Sequence, residues 1–371
     1  MTDVTDAVEI PDWRRAFGAP QVSGDFRSDN RDFQVTEALG FELDDSGEHD
    51  WLWIEKSGVN TPWLARQLAR YAAVAANDVG FAGMKDRHAV TRQWFSVRRP
   101  AGARADWRAL DLPGVTVLEQ RRHSRKLRRG AHRANHFEIR LRHLDGDPCE
   151  RLERIAAAGI PNYFGEQRFG HGGHNLALAR SLFSGRRLRR DKRSIALSAA
   201  RGYLFNVVLD ARIGAGTWDR LLPGDVASLE GSNSVFDVDE VTADIEGRAA
   251  CLDLHPSGPL WGRSRGKTGA RLLEPERHQA ADHEALRDGL ERHCEAGRRA
   301  LRAVVKDLHW ELSDRDLALS FTLGPRRIRH SLAARTGAPA STTLLPAARR
   351  RRRCRRRSGG PRRKPALPAS A

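Results

Sequence analysis

The chain has 371 residues, 40% of them hydrophobic and nine of them tryptophan, and carries a formal net charge of +17 at pH 7. That is enough apolar material for a sizeable core, fits two domains and argues against a disordered chain. Four scattered cysteines, Cys149, Cys251, Cys294 and Cys354, form no C-x-x-C pair, so neither a disulfide framework nor a zinc ribbon is expected, and a reducing cytoplasm fits best. The acidic opening MTDVTDAVEIPDW has no apolar run, and no stretch of about 18 apolar residues occurs, so neither a secreted nor a membrane protein is expected. The charge is unevenly placed: residues 326 to 371 hold 15 Lys/Arg and no Asp/Glu, and +17 less 15 leaves +2 for residues 1 to 325. Within that nearly neutral body two basic clusters remain, Arg121 to Arg133 and Arg186 to Arg193. Each alone is a solvated charged face. The pair, with the first leading into Asn135-His136-Phe137, suits a phosphate-tracking groove beside a stacking platform.

Along the chain, FQVTEAL and DWLWIEK alternate as strands around the turn-rich DDSGEHD. Thr61-Pro62 reads as an N-cap followed by proline at the first helical position, and Trp63, Leu64, Leu68 and Tyr71 give the helix one apolar face ending near residues 77 to 80. Two strand-like runs in FAGMKDRHAVTRQWFSV then enclose the knot Lys85-Asp86-Arg87-His88. HFEIRLRHL alternates as a strand, and a helix is expected from Glu150 to Gly159. IALSAARGYLFNVVLDARI reads as a buried helix, PGDVASLEG as a small hairpin, and WELSDRDLALSFTLG as two late strands around Ser313 to Arg315.

The knot needs its own explanation, because Gly83 would have sufficed for a turn. An aspartate has an ordinary pKa of about 3.9, and nearby cations lower it further. Asp86 is therefore expected to stay ionised, which suits a nucleophile or electrostatic anchor better than a general acid. A loop salt bridge to Lys85 or Arg87 is the bland alternative. His171-Gly-Gly-His174 and HLDGD, His143 to Asp147, offer imidazoles and carboxylates for a metal-dependent RNA phosphodiesterase, although DGDP is ordinary turn chemistry. FGEQRFGHGG lacks the Gly-Lys-Ser/Thr of a P-loop. A non-catalytic RNA-binding protein would need the basic clusters alone.

FAGMKDRHAVTRQWFSV resembles the signature of the tRNA pseudouridine synthase D family, approximately F-x-G-x-K-D-[KR]-x-A-x-T-x-Q. DFQVTE, GAHRANHF, PNYFGEQRFG and LSAARGYLFN match further family blocks in order, so the resemblance spans about 25 to 325. It implies an α+β fold: a pseudouridine synthase catalytic domain with a mixed, largely antiparallel curved sheet (1–158 and 306–325) and an inserted α/β second domain (159–305). It implies isomerisation of uridine to pseudouridine, at uridine 13 of a tRNA, by a cytoplasmic monomer using no cofactor and no metal. Asp86 would be the nucleophile or base at the ribose, Arg27 its cationic partner, and Asn135 and Phe137 the residues that hold and stack the flipped base. Lys85 and His88 are expected on the substrate, offsetting RNA phosphates near Asp86, with at least one cation of the knot on backbone. VSGDFRSDNRDFQVTE departs from the family pattern in having Asn30-Arg31 where proline-glutamate is usual.

After Pro325 the resemblance stops abruptly. The family continues with glycine, a small residue, an aromatic and Ala-Thr, whereas this chain reads RRIRHSLAARTG. Codons permitted for Arg326 to Thr336, read one base later, spell Gly-Ala-Tyr-Ala-Thr-Ala-Trp-Leu-Arg-Glu-Leu. The segment 326–371 is therefore expected to be a basic, disordered tail translated from a slipped frame, with a genuine RNA-binding arm as the alternative. A slipped frame removes the aromatic expected where Ile328 stands and implies impaired activity.

Overall fold

The alternating runs become strands of one sheet, nine-stranded among the described residues. The computed structural model describes residues 9–99, 105–264, 269 and 271–324. The expected tail, Ile328 included, lies outside them. In chain order the first half contains β1 (Ser23–Phe26), β2 (Phe33–Leu39), β3 (His49–Ser57), α1 (Thr61–Tyr71), β4 (Val79–Phe81), β5 (Val90–Arg98), β6 (Val115–His123), β7 (His132–Asp145) and α2 (Cys149–Ala158). A second set follows: β8 (Ile160–Pro161), α3 (His174–Phe183), α4 (Arg190–Gly214), β9 (Val226–Leu229), β10 (Val235–Asp237), α5 (Ala243–Ala250) and β11 (Leu254–Leu260). It is completed by α6 (Glu274–Gln279), α7 (Glu284–His293), β12 (Gly297–Ala300) and β13 (Arg302–Ala303), before β14 (Lys306–Ser313) and β15 (Asp316–Leu323) end the described chain.

The large sheet runs β14-β15-β7-β2-β5-β3-β6, with β1 added beside β7 and β4 beside β5. It is largely antiparallel; β2 and β5 are the parallel pair. β7 is long enough to take β2 along its first part and β1 along its last, while β15 pairs along its opposite edge. Because side chains alternate, register fixes which residues share a face. One row crosses the sheet as Lys56, Thr91, Val35, Phe137 and Phe321, and the row beside it holds Ile54, Gln93, Glu37, Asn135 and Leu323. Leu64 and Leu68 of α1 pack with Leu52, Ile54 and Phe95 toward one end of this face. Leu152 and Ile155 of α2 pack with Phe33, Phe137 and Ile139 toward the other. Each fully buried Leu or Ile here contributes on the order of 1.5–3 kcal/mol.

The second set forms its own four-stranded sheet, β10-β9-β11-β12, beside helices α3, α4 and α7. Entry and exit strands lie side by side, with Ile160 opposite Ala303 and Pro161 opposite Arg302. The N-terminal segment ties this set to the first: Phe17 packs against both cores, and Arg14 pairs with Asp210 of α4 at 2.5 Å.

Three local readings change. The cap of α1 is Asn60, whose side chain accepts the Trp63 N–H, so Thr61 is already helical and its hydroxyl is free for another use. The helix stops at Tyr71, and a single 3-10 turn, Ala76–Asp78, leads into β4. PGDVASLEG supplies one strand, β9, and its antiparallel partner is β10 beyond the turn. The Asn30-Arg31 departure forms a 3-10 turn, Asn30–Asp32, capped by Asp29. Its Asp32 is buried against the Arg142 guanidinium at 2.7 Å, which holds the carboxyl below its usual range.

Candidate active site

Between β4 and β5 the knot leaves the sheet as a loop, and the protein grips its backbone from below. The Thr61 hydroxyl accepts the Lys85 N–H at 3.1 Å and donates to the Gln93 side-chain carbonyl at 3.1 Å. Gln93 in turn donates its amide to the Gly83 carbonyl at 3.2 Å. The Lys56 ammonium donates to the Val59 carbonyl at 2.8 Å and to the Asp86 carbonyl at 3.0 Å. Thr61, Gln93 and Lys56 are fully buried. Buried polar groups of this kind are stable only when paired, and here the loop backbone is what pairs them.

The Asp86 carboxylate has two partners of its own. Oδ1 accepts the His88 backbone N–H at 2.9 Å, and Oδ2 lies 3.1 Å from the Arg27 guanidinium. Both side chains are mostly enclosed, 10% exposed for Arg27 and 18% for Asp86. Arg27 follows β1 with φ +66°, the left-handed region that an arginine enters at a cost of about 1–2 kcal/mol. That turn lays its guanidinium over Phe33, 4.2 Å from the ring centroid, and beside Phe26 at 4.9 Å. Burial lowers the Arg27 pKa and the Asp86 charge works against that shift. A guanidinium remains charged through such a change.

The other expected residues are placed unequally. Lys85 points inward, its ammonium 2.6 Å from Glu37 with both side chains nearly sealed off, so its charge is spent on Glu37 and not on the loop surface. Arg87 donates to the Gly58 carbonyl at 3.0 Å, the cation on backbone that the knot was expected to contain. His88 meets Asp86 through its backbone N–H, and its side chain is exposed. Phe137 is packed as a core residue, one face stacked on Phe321 at 5.2 Å and the ring 6.2 Å from Phe33. Asn135 projects from the same face of β7, beside Glu37 and Leu323, and its side-chain oxygen is buried without a hydrogen-bond partner among the described residues. Asp86, Arg27, Phe33 and Phe137 thus form a connected series across the face between α1 and α2.

Sequence reasoning missed Lys56, Glu37, Thr61 and Gln93. The signal was present for two of them. Phe33, Val35 and Glu37 are successive inward positions of β2, and Leu52, Ile54 and Lys56 are successive inward positions of β3, so each series ends on a charge where an apolar residue serves a core better. The rival metal reading rested on His171, His174, His143 and Asp147. His143 is exposed and pairs with Asp25, His171 sits in a short 3-10 turn before α3, and no group of three or more His/Cys/Asp/Glu that could hold a metal occurs among the described residues.

The basic run also divides. Arg121 pairs with Asp45, Arg122 donates to the Gly47 carbonyl, Lys126 donates to the Asn77 carbonyl, and Arg129 lies over the Phe81 ring at 3.6 Å. Arg125 and Arg128 are exposed.

Known proteins share both the sequence and this architecture. The sequence profile described as tRNA pseudouridine synthase D (TruD) matches residues 15–185. The tRNA pseudouridine synthase D of Methylococcus capsulatus is 48% identical over 332 residues, which covers 87% of this chain and 93% of that protein. The chain belongs to the tRNA pseudouridine synthase D family. The Pseudomonas syringae pv. tomato member is 44% identical over 321 residues, covering 84% of this chain and 90% of its own length. A crystal structure of the putative family member from Methanosarcina mazei shares the fold, with a TM-score of 0.61 at 17% identity over 88% of this chain and 96% of that one. Family membership makes the chain a pseudouridine synthase, an isomerase, and among the described residues no helix is long and apolar enough to cross a membrane.

Proposed function

We propose that the chain isomerises uridine to pseudouridine in tRNA, at uridine 13, with Asp86 as the carboxylate that acts at the ribose and without a cofactor or metal. The observation that carries this reading is the Asp86 carboxylate itself, paired to Arg27 at 3.1 Å on a loop whose backbone is held at Gly83, Lys85 and Asp86 by buried side chains. A carboxylate fixed in this way is oriented before substrate arrives, which is the condition for efficient nucleophilic or base catalysis. As nucleophile or base, Asp86 assists cleavage of the C1′–N1 bond. The C1′–N1 electron pair leaves with N1, the freed uracil turns, C5 bonds to C1′ and loses its proton, and N1 gains a proton, so the isomerisation balances with no co-reactant.

The target base must leave its stack to reach such a site. Asn135 supports its recognition, because its enclosed oxygen is an acceptor without a partner among the described residues, suited to a uracil N–H. Phe137, packed in the core against Phe321, backs this position from the neighbouring row, and His88 stands exposed at the rim for the RNA. Lys85 then acts on substrate only indirectly, by anchoring the loop to Glu37. The exposed Arg125 and Arg128, with the Arg186 to Arg193 cluster, serve as phosphate contacts. Residues 159–305 are the inserted unit and the segments on either side the catalytic one.

Tritium release from 5-labelled uridine in tRNA tests the reading. Asp86→Asn is expected to lose roughly 10⁴-fold or more in rate while still binding tRNA, and chelator should leave the native rate unchanged. Retained turnover in the purified variant would overturn the role of Asp86.

A further inference from the structure

Among the described residues, Lys56 is the one cation buried completely beneath the catalytic loop. It occupies the inward position after Leu52 and Ile54 on β3, faces Thr91 of β5 and Val115 of β6, and has no exposed surface. Neither of those neighbours carries a charge. Among the described residues its ammonium donates to two backbone carbonyls, Val59 where the chain leaves β3 and Asp86 on the loop. A methionine would fill the same space and spare the chain the desolvation of an ammonium, so the fold alone gives no reason for lysine here.

The bond to Asp86 supplies the reason. The Asp86 carbonyl is one bond from the Cα that carries the catalytic carboxylate. Holding that peptide plane sets the direction of the Cα–Cβ bond, while Arg27 and the His88 N–H set the carboxylate's rotation. An ammonium holds a carbonyl about twice as strongly as a neutral donor does. We infer that Lys56, as the ammonium, is a positioning residue for Asp86, fixing the carboxylate from behind without touching substrate. The inference rests on the proposed role of Asp86. Burial brings the Lys56 pKa down to about 8; Lys85 adds to that shift and the Asp86 charge opposes it. Of the other charges around the loop, Glu37 is bound to Lys85, Arg27 to the Asp86 carboxylate, and Arg87 to the Gly58 carbonyl. The ammonium form, and with it the grip on Asp86, is therefore present below about pH 8 and lost as the pH rises through that value.

The test compares native protein with Lys56→Met and Lys56→Gln by tritium release from 5-labelled tRNA between pH 6.5 and 9.5, together with tRNA affinity by filter binding. The expected result for Lys56→Met is a kcat lowered about 100-fold, the scale of a displacement of roughly 1 Å, with KM and tRNA affinity within about threefold of native. Native kcat should fall above about pH 8, and the variant should lack that limb. A limb that arises from the uracil itself would persist in the variant. Lys56→Gln, which keeps a donor without the charge, should fall between the two. It also carries the comparison if Lys56→Met does not fold. Native-like kcat in either folded variant, or the same alkaline limb in native and variant, would overturn the positioning role. Absence of turnover in both the native protein and a protein with its frame restored after Pro325 would instead bring down the proposed chemistry, and this inference with it.

Discussion

Removing Arg27 tests whether the pair at the centre of the site is a stabilising contact or a tolerated cost. At 3.1 Å the Coulomb attraction between Arg27 and Asp86 is about 5 kcal/mol at an effective dielectric constant of 20, before either ion's desolvation is counted. Breaking a buried pair by removing one partner costs about 3–5 kcal/mol, and the 18% exposure of Asp86 places this case at the lower end of that range. The two single changes should differ. Arg27→Met leaves the Asp86 carboxylate with the His88 N–H as its hydrogen-bond partner among the described residues, whereas Asp86→Asn leaves the guanidinium over the Phe26 and Phe33 rings. Arg27→Met should therefore destabilise more. Because methionine keeps most of the stem over Phe33, a double-mutant cycle with Arg27→Met/Asp86→Asn removes the packing contribution and leaves the pair itself. The expected coupling is about 2–3 kcal/mol by urea unfolding followed through tryptophan emission. A coupling below about 0.5 kcal/mol, or a larger loss in Asp86→Asn than in Arg27→Met, would refute the view that the enclosed pair holds the loop.

Two further outcomes follow from the surface and from the C-terminal sequence. Arg125→Gln/Arg128→Gln should weaken tRNA binding and reduce its logarithmic salt slope by about 1.4–1.8, whereas Arg121→Gln/Arg122→Gln, whose side chains already hold Asp45 and the Gly47 carbonyl, should leave the slope nearly unchanged; titrations of binding against salt concentration decide it. Resequencing the gene should reveal one inserted base near the codons for Pro325 and Arg326, and restoring the frame should raise the rate of tritium release; an error-free gene whose shifted frame does not give Gly-Ala-Tyr-Ala-Thr would refute the slipped frame.

The strands and the loop were legible because period-2 alternation and a misplaced charged knot are local signals. FQVTEAL, DWLWIEK and HFEIRLRHL each gave a strand within a few residues of its true bounds, and the knot's position between β4 and β5 followed from its flanks. The partners of the charges were not legible, since they depend on strand order. Lys85 meets Glu37 only because β2 lies parallel beside β5, and that pairing joins segments 48 residues apart. The cap of α1 failed for a related reason: Asn60 and Thr61 are both good caps in isolation, and the Lys85 backbone and Gln93 use the threonine hydroxyl. Local sequence offered no way to choose.

Lys56 and Glu37 show where that limit can be moved. A lysine at a strand end is normally read as one whose stem lies along the surface while its charge reaches water. Here the chain continues from Ser57 directly into the turn and helix beneath the loop, so no route to water is left, and the ammonium must find carbonyls. Glu37 is closed in likewise, by Lys85 and the Trp94 N–H. When an inward series of apolar residues ends on a charge, and a short connection follows at once, burial of that charge is the default expectation. Such a charge needs a partner from another segment, and in this fold both partners are the loop that carries Asp86.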